Sequence, residues 1–157
     1  MQIDQTWYQN YEALPVRVVA GGIVVRQENG RVLVALCGEH QKADYILPKG
    51  GIEKGETHEE AARREIEEEA GFTELQLLCE LGSVGRKNFK KSVWSKCTYF
   101  LFYTTQSDVE PTEHKRHIKP RWFPIDQLPP IFWPEQHDLI ADNRERIIDL
   151  VHEHCGV

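Results

Sequence analysis

Gly50–Phe72 reads GGIEKGETHEEAARREIEEEAGF, and its composition sets it apart from the rest of the chain. Eight acidic residues (Glu53, Glu56, Glu59, Glu60, Glu65, Glu67, Glu68 and Glu69) stand against Lys54, Arg63 and Arg64, a local charge of −5 in a chain whose total is −6. The remainder is close to neutral. The acidity is therefore gathered in one place rather than spread for solubility.

The first half of the stretch is punctuated by Gly50, Gly51 and Gly55 and reads as a loop; the second half reads as a helix. Thr57 suits the N-cap, and Glu60 three residues on completes a reciprocal capping box. The residues that follow are mostly good helix formers, and Gly71 suits the left-handed position that ends a helix. At about 100° per residue, Ala62, Ile66 and Ala70 make a narrow apolar stripe for the core. Glu65, Glu68 and Glu69, related by i, i+3 and i+4, gather on a second side, while Arg63 and Glu67 point to solvent on a third.

That arrangement is locally unfavourable. Like charges at i, i+4 repel by roughly a few tenths of a kcal/mol, and two of these carboxylates sit near the negative end of the helix dipole. Three carboxylates on one helical face suit a hard divalent cation. Mg²⁺ takes oxygen ligands and commonly leaves positions for water and substrate phosphates. Without another mark, the same glutamates describe a solvated surface helix.

The spacing supplies the mark. Gly50, five residues, Glu56, seven residues, then Arg64-Glu65-Ile66-Glu67-Glu68-Glu69-Ala70-Gly71-Phe72 resembles the Nudix box, GX5EX7REUXEEXGU with U a bulky apolar residue. Every specified position is filled. The box covers 23 of 157 residues, and the lengths before and after it suit one domain over 1–157, with 1–15 as an N-terminal arm.

The resemblance implies an α/β fold, the Nudix α/β/α sandwich, in which a loop–helix–loop beside a mixed β-sheet presents a metal site. Glu65, Glu68 and Glu69 match the family's metal-binding and base glutamates, with Glu68 assigned as base and Glu65 and Glu69 as principal ligands. Gly50 matches the position whose backbone carbonyl joins the metal shell. Arg64 and Glu56 match a pair that salt-bridges across the box and orients the helix. Mg²⁺ is the implied cofactor, with Mn²⁺ as the alternative. Such a site hydrolyses a pyrophosphate link, a bound cation activating water while a glutamate takes its proton.

Outward from the box, Val16 to Arg26 and Arg31 to Leu36 are rich in β-branched residues and flank Asn29-Gly30, a strong hairpin signal. Gly21-Gly22 suggests a bulge or a close backbone approach. Cys37 to Asp44 reads as a polar loop, and Tyr45 to Leu47 as a short strand delivering Pro48-Lys49-Gly50. Leu75 to Leu81 and Ser92 to Thr105 read as strands, the second of them central. Between them Arg86, Lys87, Lys90 and Lys91 form a basic loop, and a second basic group runs from His114 to Lys119. Lys49, Arg86, Lys87 and Lys90 are the candidates for holding substrate phosphates, against the plainer reading of solvated charge. Glu110 and Glu113 are secondary candidates for a further glutamate of the site.

Asp126 to Pro130 looks like a short turn of helix, and His137 to His152 like one C-terminal packing helix. Ile131 to Pro134 is either a core lid or a wall for a nucleobase. Trp7, Tyr8 and Tyr11 make the arm either a cover for the core edge or a stacking or dimer surface, which leaves a homodimer open.

Composition bounds the rest. A hydrophobic share of 40% and a charged share of 28% describe a soluble globular chain large enough to bury a core. The start lacks a basic region followed by an apolar run, and no stretch approaches the roughly 18 apolar residues of a membrane span. Four scattered cysteines show neither disulfide nor zinc spacing, so a cytoplasmic chain with free thiols is expected. The negative total gives no support to nucleic-acid binding, apart from a 5′-RNA end.

The resulting expectation is a Mg²⁺-dependent hydrolase of a nucleoside or dinucleoside polyphosphate, or a similar phosphate-dense small molecule. Leu47-Pro48-Lys49-Gly50-Gly51 and Gly55-Glu56-Thr57 look most like the dinucleoside and diphosphoinositol polyphosphate hydrolases of the family. An 8-oxo-dGTP-type pool-sanitising enzyme and a 5′-RNA pyrophosphohydrolase are the enzymatic alternatives. A non-catalytic Nudix-fold sensor is the alternative of another class, and the full set of box glutamates argues against it.

Overall fold

The hairpin forms as its turn demands: Asn29 and Gly30 both take positive φ (53° and 78°) and join β1 (Val16–Glu28) to β2 (Arg31–Glu39) in antiparallel register from Glu28↔Arg31 to Val24↔Ala35. This computed structural model describes residues 2–40 and 43–156. Gln41 and Lys42, within the stretch expected to be a loop, lie outside the described residues, as do Met1 and Val157.

Four more strands complete a mixed sheet: β3 (Lys49–Gly51), β4 (Gln76–Lys87), β5 (Trp94–Tyr103) and β6 (His117–Pro124). The order is β4-β5-β1-β2-β6, with β3 pairing the first half of β1. Among the named strands of the described residues, β1 and β5 run parallel and the other pairs are antiparallel. β1 is thus the central strand, and β5 lies one place out from it.

One face of the sheet carries α1 (His58–Ala70). Ala61, Ala62, Ile66 and Ala70 pack there with Ala20, Val24, Phe72, Phe100 and Phe102. The other face carries α2 (Pro134–Asp142) and α3 (Arg144–Cys155), whose Ile140, Ile147 and Val151 meet Val19, Ile23, Val25 and Leu101. The alternation of side chains along β1 feeds both layers at once. This is the α/β/α arrangement.

Several local expectations change. β2 continues through the buried Cys37 to Glu39 because it has β6 to pair with, so the polar loop starts later than expected. Tyr45 to Leu47 makes only the isolated bridges Cys37↔Ile46 and Tyr45↔Ile131, and the strand proper is β3. β4 runs on to Lys87, held to β5 through Arg86↔Ser95 and Lys87↔Trp94, so the first half of the expected basic loop is strand. Asp126 to Pro130 is a turn without helix. The C-terminal helix is two helices broken at Asn143, whose side-chain Nδ2 donates to the Leu139 carbonyl. Gly21 does mark a close approach: a Cβ there would run into the Pro48 carbonyl.

In the arm, Asp4 caps a 3-10 turn at Gln5–Tyr8. Trp7 is buried edge-on against Trp133 at 5.8 Å, and the Tyr8 hydroxyl donates to Glu135 Oε1 at 2.7 Å. Both cover the core edge, whereas Tyr11 is exposed. Trp133 is buried as well, in keeping with a core lid. No helix among the described residues is long and apolar enough to cross a membrane.

Candidate active site

The capping box sets the start of α1. The Glu60 backbone N–H donates to Thr57 Oγ1 at 3.0 Å, and the Thr57 N–H donates to Glu60 Oε1 at 2.9 Å. Gly71 ends the helix at φ 95°, its N–H reaching the carbonyls of Ile66 and Glu67. Between these fixed ends the phase of the helix is determined, and with it the side each glutamate faces.

Arg64 organises the acidic side. Its Nε and Nη2 donate to the two Glu56 oxygens at 2.7 and 2.9 Å, and Nη2 also meets the Gly51 carbonyl. Its Nη1 donates to Glu65 Oε1 at 2.7 Å and lies 3.4 Å from Glu68 Oε2. The guanidinium holds the Glu56 carboxyl down at about 2 through these hydrogen bonds, and is itself held firmly charged. The box loop and the helix are thereby clamped into one unit.

The three helix glutamates sit in unlike surroundings. Glu69 is buried, accepts from the Lys49 backbone N–H at 3.2 Å, and has its pKa pushed well up by burial and by nearby Glu65. Glu68 is the most open of the three, its pKa raised by burial and then by Glu65. Glu65 lies against the bare Cα of Gly50, where a Cβ would overlap its carboxylate.

Among the described residues, no three His, Cys, Asp or Glu side chains are gathered tightly enough to hold a metal ion, since Glu65 turns to Arg64 and Glu69 to Lys49. The donor set nevertheless fits one. The charge of Glu65 raises the proton affinity of both Glu68 and Glu69, a strain that an added divalent charge relieves, and the absent Gly50 Cβ leaves the cradle in which Glu65 lies.

The remaining candidates divide. Glu113 comes to the site: its N–H donates to the Glu68 carbonyl at 3.0 Å, and its carboxylate lies 4.0 Å from His117 Nε2. Glu110 is exposed, and its backbone packs against Gly71. Lys49 is half-buried on β3 and, together with Arg86, lines a small cavity on the opposite face of the sheet from α1. Arg86 and Lys87 are not free loop cations. Each is buried in β4, Arg86 donating to Glu135 Oε2 at 2.6 Å and Lys87 to Glu12 Oε2 at 2.5 Å. Lys90 is exposed in the turn that follows.

Two residues of the site escaped the sequence reading. His117 is buried with Nε2 at 3.8 Å from Glu69 Oε1 and its pKa lowered by burial, and among the described residues its Nδ1 has no hydrogen-bond partner. Glu39, buried and in register with His117, accepts from Arg116 Nε at 2.9 Å. The only local signal was a histidine inside a basic run. The pairing of β2 with β6 that brings these two residues together is long-range.

Comparison with known proteins bears on the family and the fold. The NUDIX domain model matches residues 16–143. The RNA pyrophosphohydrolase of Caulobacter vibrioides is 30% identical over 132 residues, covering 72% of this chain and 75% of that one. The oxidized purine nucleoside triphosphate hydrolase of Danio rerio is 32% identical over 108 residues, covering 68% and 67%. Among solved structures, a C. elegans Ap4A hydrolase binary complex superposes with a TM-score of 0.71 at 21% identity, covering 85% of this chain and 98% of that one. With the box complete and its clamp formed, this chain belongs to the NUDIX family and is a hydrolase of pyrophosphate bonds.

Proposed function

We propose that this chain hydrolyses a nucleoside or dinucleoside polyphosphate, with Mg²⁺ as its working ion. One observation carries the reading. Lys49 gives its backbone N–H to Glu69 on the helix side of β3, while its side chain joins Arg86 in the cavity on the other side. A carboxylate cluster and a cationic cleft therefore meet across one short strand. That juxtaposition suits a substrate whose scissile phosphate lies at the carboxylates and whose further phosphates run toward the cations.

Glu65, Glu69 and the Gly50 carbonyl would hold the ion, with Glu68 beside them. When bound, it neutralises phosphate charge and lowers the pKa of a coordinated water. Glu68, the most open of the three and raised in pKa, takes the proton of the attacking water. Arg64 keeps Glu65 and Glu68 facing the site, and Glu56 keeps Arg64 in place. Lys49 and Arg86 bind the phosphates beyond the scissile bond, and Lys90 adds attraction from the surface. Lys87, tied to Glu12, secures the arm instead.

A second reading is removal of pyrophosphate from 5′-triphosphorylated RNA, favoured by the likeness to the Caulobacter vibrioides RNA pyrophosphohydrolase. A panel of diadenosine polyphosphates, nucleoside triphosphates including 8-oxo-dGTP, diphosphoinositol polyphosphate and 5′-triphosphorylated RNA, incubated with Mg²⁺, separates the two. Preferred turnover of the small polyphosphates supports the first reading. Preferred turnover of the RNA replaces it with the second.

A further inference from the structure

Three cations share the sheet face opposite α1. Side chains alternate along β3, so Lys49 and Gly51 face one way and Gly50, under Glu65, the other. The Arg17 guanidinium lies across Gly51, where a Cβ would meet it. Lys49 and Arg86 line the adjoining cavity together with Ser95.

Among the described residues, the carboxylate lining this cavity with them is Glu135. Glu135 accepts from Arg86 Nε at 2.6 Å through Oε2 and from the Tyr8 hydroxyl at 2.7 Å through Oε1. The Arg86 guanidinium also stacks on Trp133 at 3.3 Å, leaving the Arg86 and Glu135 side chains only 5% and 8% exposed. An ordinary buried ion pair would explain Arg86 and Glu135 by themselves. It does not explain why Lys49 is brought into the same cavity, where among the described residues its ammonium makes no ion pair. Among the described residues lining the cavity, Lys49 and Arg86 thus meet the single carboxylate of Glu135, with Arg17 beside them, an arrangement that suits a further anion.

The N-terminal arm closes this cleft. Tyr8 holds Glu135, Trp7 packs on Trp133, and Glu12 pairs with Lys87. The cavity that remains measures ≈ 10 Å³, about one water molecule. No phosphate enters while Glu135 stays where it is.

We propose that Glu135 is an exchangeable plug: its carboxylate stands where a substrate phosphate binds Arg86, and a linear polyphosphate displaces it together with Tyr8 and the arm. Placing that phosphate beyond the scissile bond rests on the functional reading above. A phosphate offers Arg86 more charge and more acceptor oxygens than a carboxylate, and it also engages Lys49. A neutral or singly charged group gains little by the exchange. Glu135 thereby sets a threshold that favours phosphate-dense substrates.

The test is calorimetric binding of inorganic tripolyphosphate in metal-stripped buffer, where no turnover occurs. Its subjects are the wild type, Glu135→Gln, Tyr8→Phe and, as a control of equal charge change, the exposed Glu145→Gln on α3. Removing the competing carboxylate should tighten binding on the order of tenfold in Glu135→Gln, the scale of one charged hydrogen bond. Tyr8→Phe should tighten it by less, and Glu145→Gln should leave it unchanged. Unaltered or weaker binding in Glu135→Gln, or an equal gain in Glu145→Gln, overturns the proposal. Should Glu135→Gln prove unfolded, Tyr8→Phe decides alone, and binding no tighter than wild type overturns it. Because no metal or hydrolysis is involved, this failure and a failure of the hydrolase reading are separately visible.

Discussion

Arg64 grips Glu56 with two parallel charge-assisted hydrogen bonds, Nε to Oε2 at 2.7 Å and Nη2 to Oε1 at 2.9 Å, and turns its remaining nitrogen to Glu65. The geometry uses the planar fork of arginine. A lysine keeps the charge but cannot bridge loop and helix in this way. Arg64→Lys should therefore lower kcat/KM by roughly 10–100-fold, the usual cost of losing a group that orients metal ligands. Steady-state kinetics beside circular dichroism checks that activity falls while the fold survives.

The same pair predicts a pH dependence of stability. Arg64 lowers the Glu56 pKa from 4.5 to about 2. A depressed folded-state value contributes stability that is complete above the unfolded value and disappears as pH falls through the folded one. The melting temperature of the wild type should exceed that of Glu56→Gln at neutral pH. The gap should narrow between pH 4.5 and about 2. A gap that stays constant over this window contradicts the assignment.

Glu68 carries the opposite sign. Its pKa is raised, so its charge at neutral pH disfavours the folded state. Glu68→Gln should melt, without metal, at the same temperature as the wild type or slightly above it. A clear drop in melting temperature would count against the like-charge account of α1.

Gly50 tests the cradle. A Cβ there would overlap the Glu65 carboxylate, the mobile end of a long side chain, so the chain can fold by moving Glu65 aside. Gly50→Ala should change the melting temperature little. It should weaken Mn²⁺ or Mg²⁺ binding about 10–100-fold, measured by titration calorimetry. Unchanged cation affinity would show that Glu65 is free to bind from elsewhere.

What the sequence revealed depended on the range of the interactions. Thr57, Glu60 and Gly71 fix α1 through contacts a few residues apart, and Asn29-Gly30 fixes the hairpin in the same way, so both were legible. The Arg64–Glu56 clamp was legible only because the spacing of the box carries it. Arg86 and Lys87 looked like loop cations, because their partners Glu135 and Glu12 lie 49 and 75 residues away. His117 reached the site through strand pairing with β2, which no local pattern shows. The break at Asn143 was hidden for another reason: apolar residues keep helical spacing on both sides of it.

The most direct test of the central claim is single-turnover hydrolysis of diadenosine tetraphosphate by the wild type and Glu68→Gln, each with and without Mg²⁺. Cleavage at a pyrophosphate bond should depend on Mg²⁺ and slow by about 10²–10⁴-fold in Glu68→Gln, the range of a lost general base. Cleavage at the wild-type rate in Glu68→Gln, or equal cleavage without Mg²⁺, would contradict that claim.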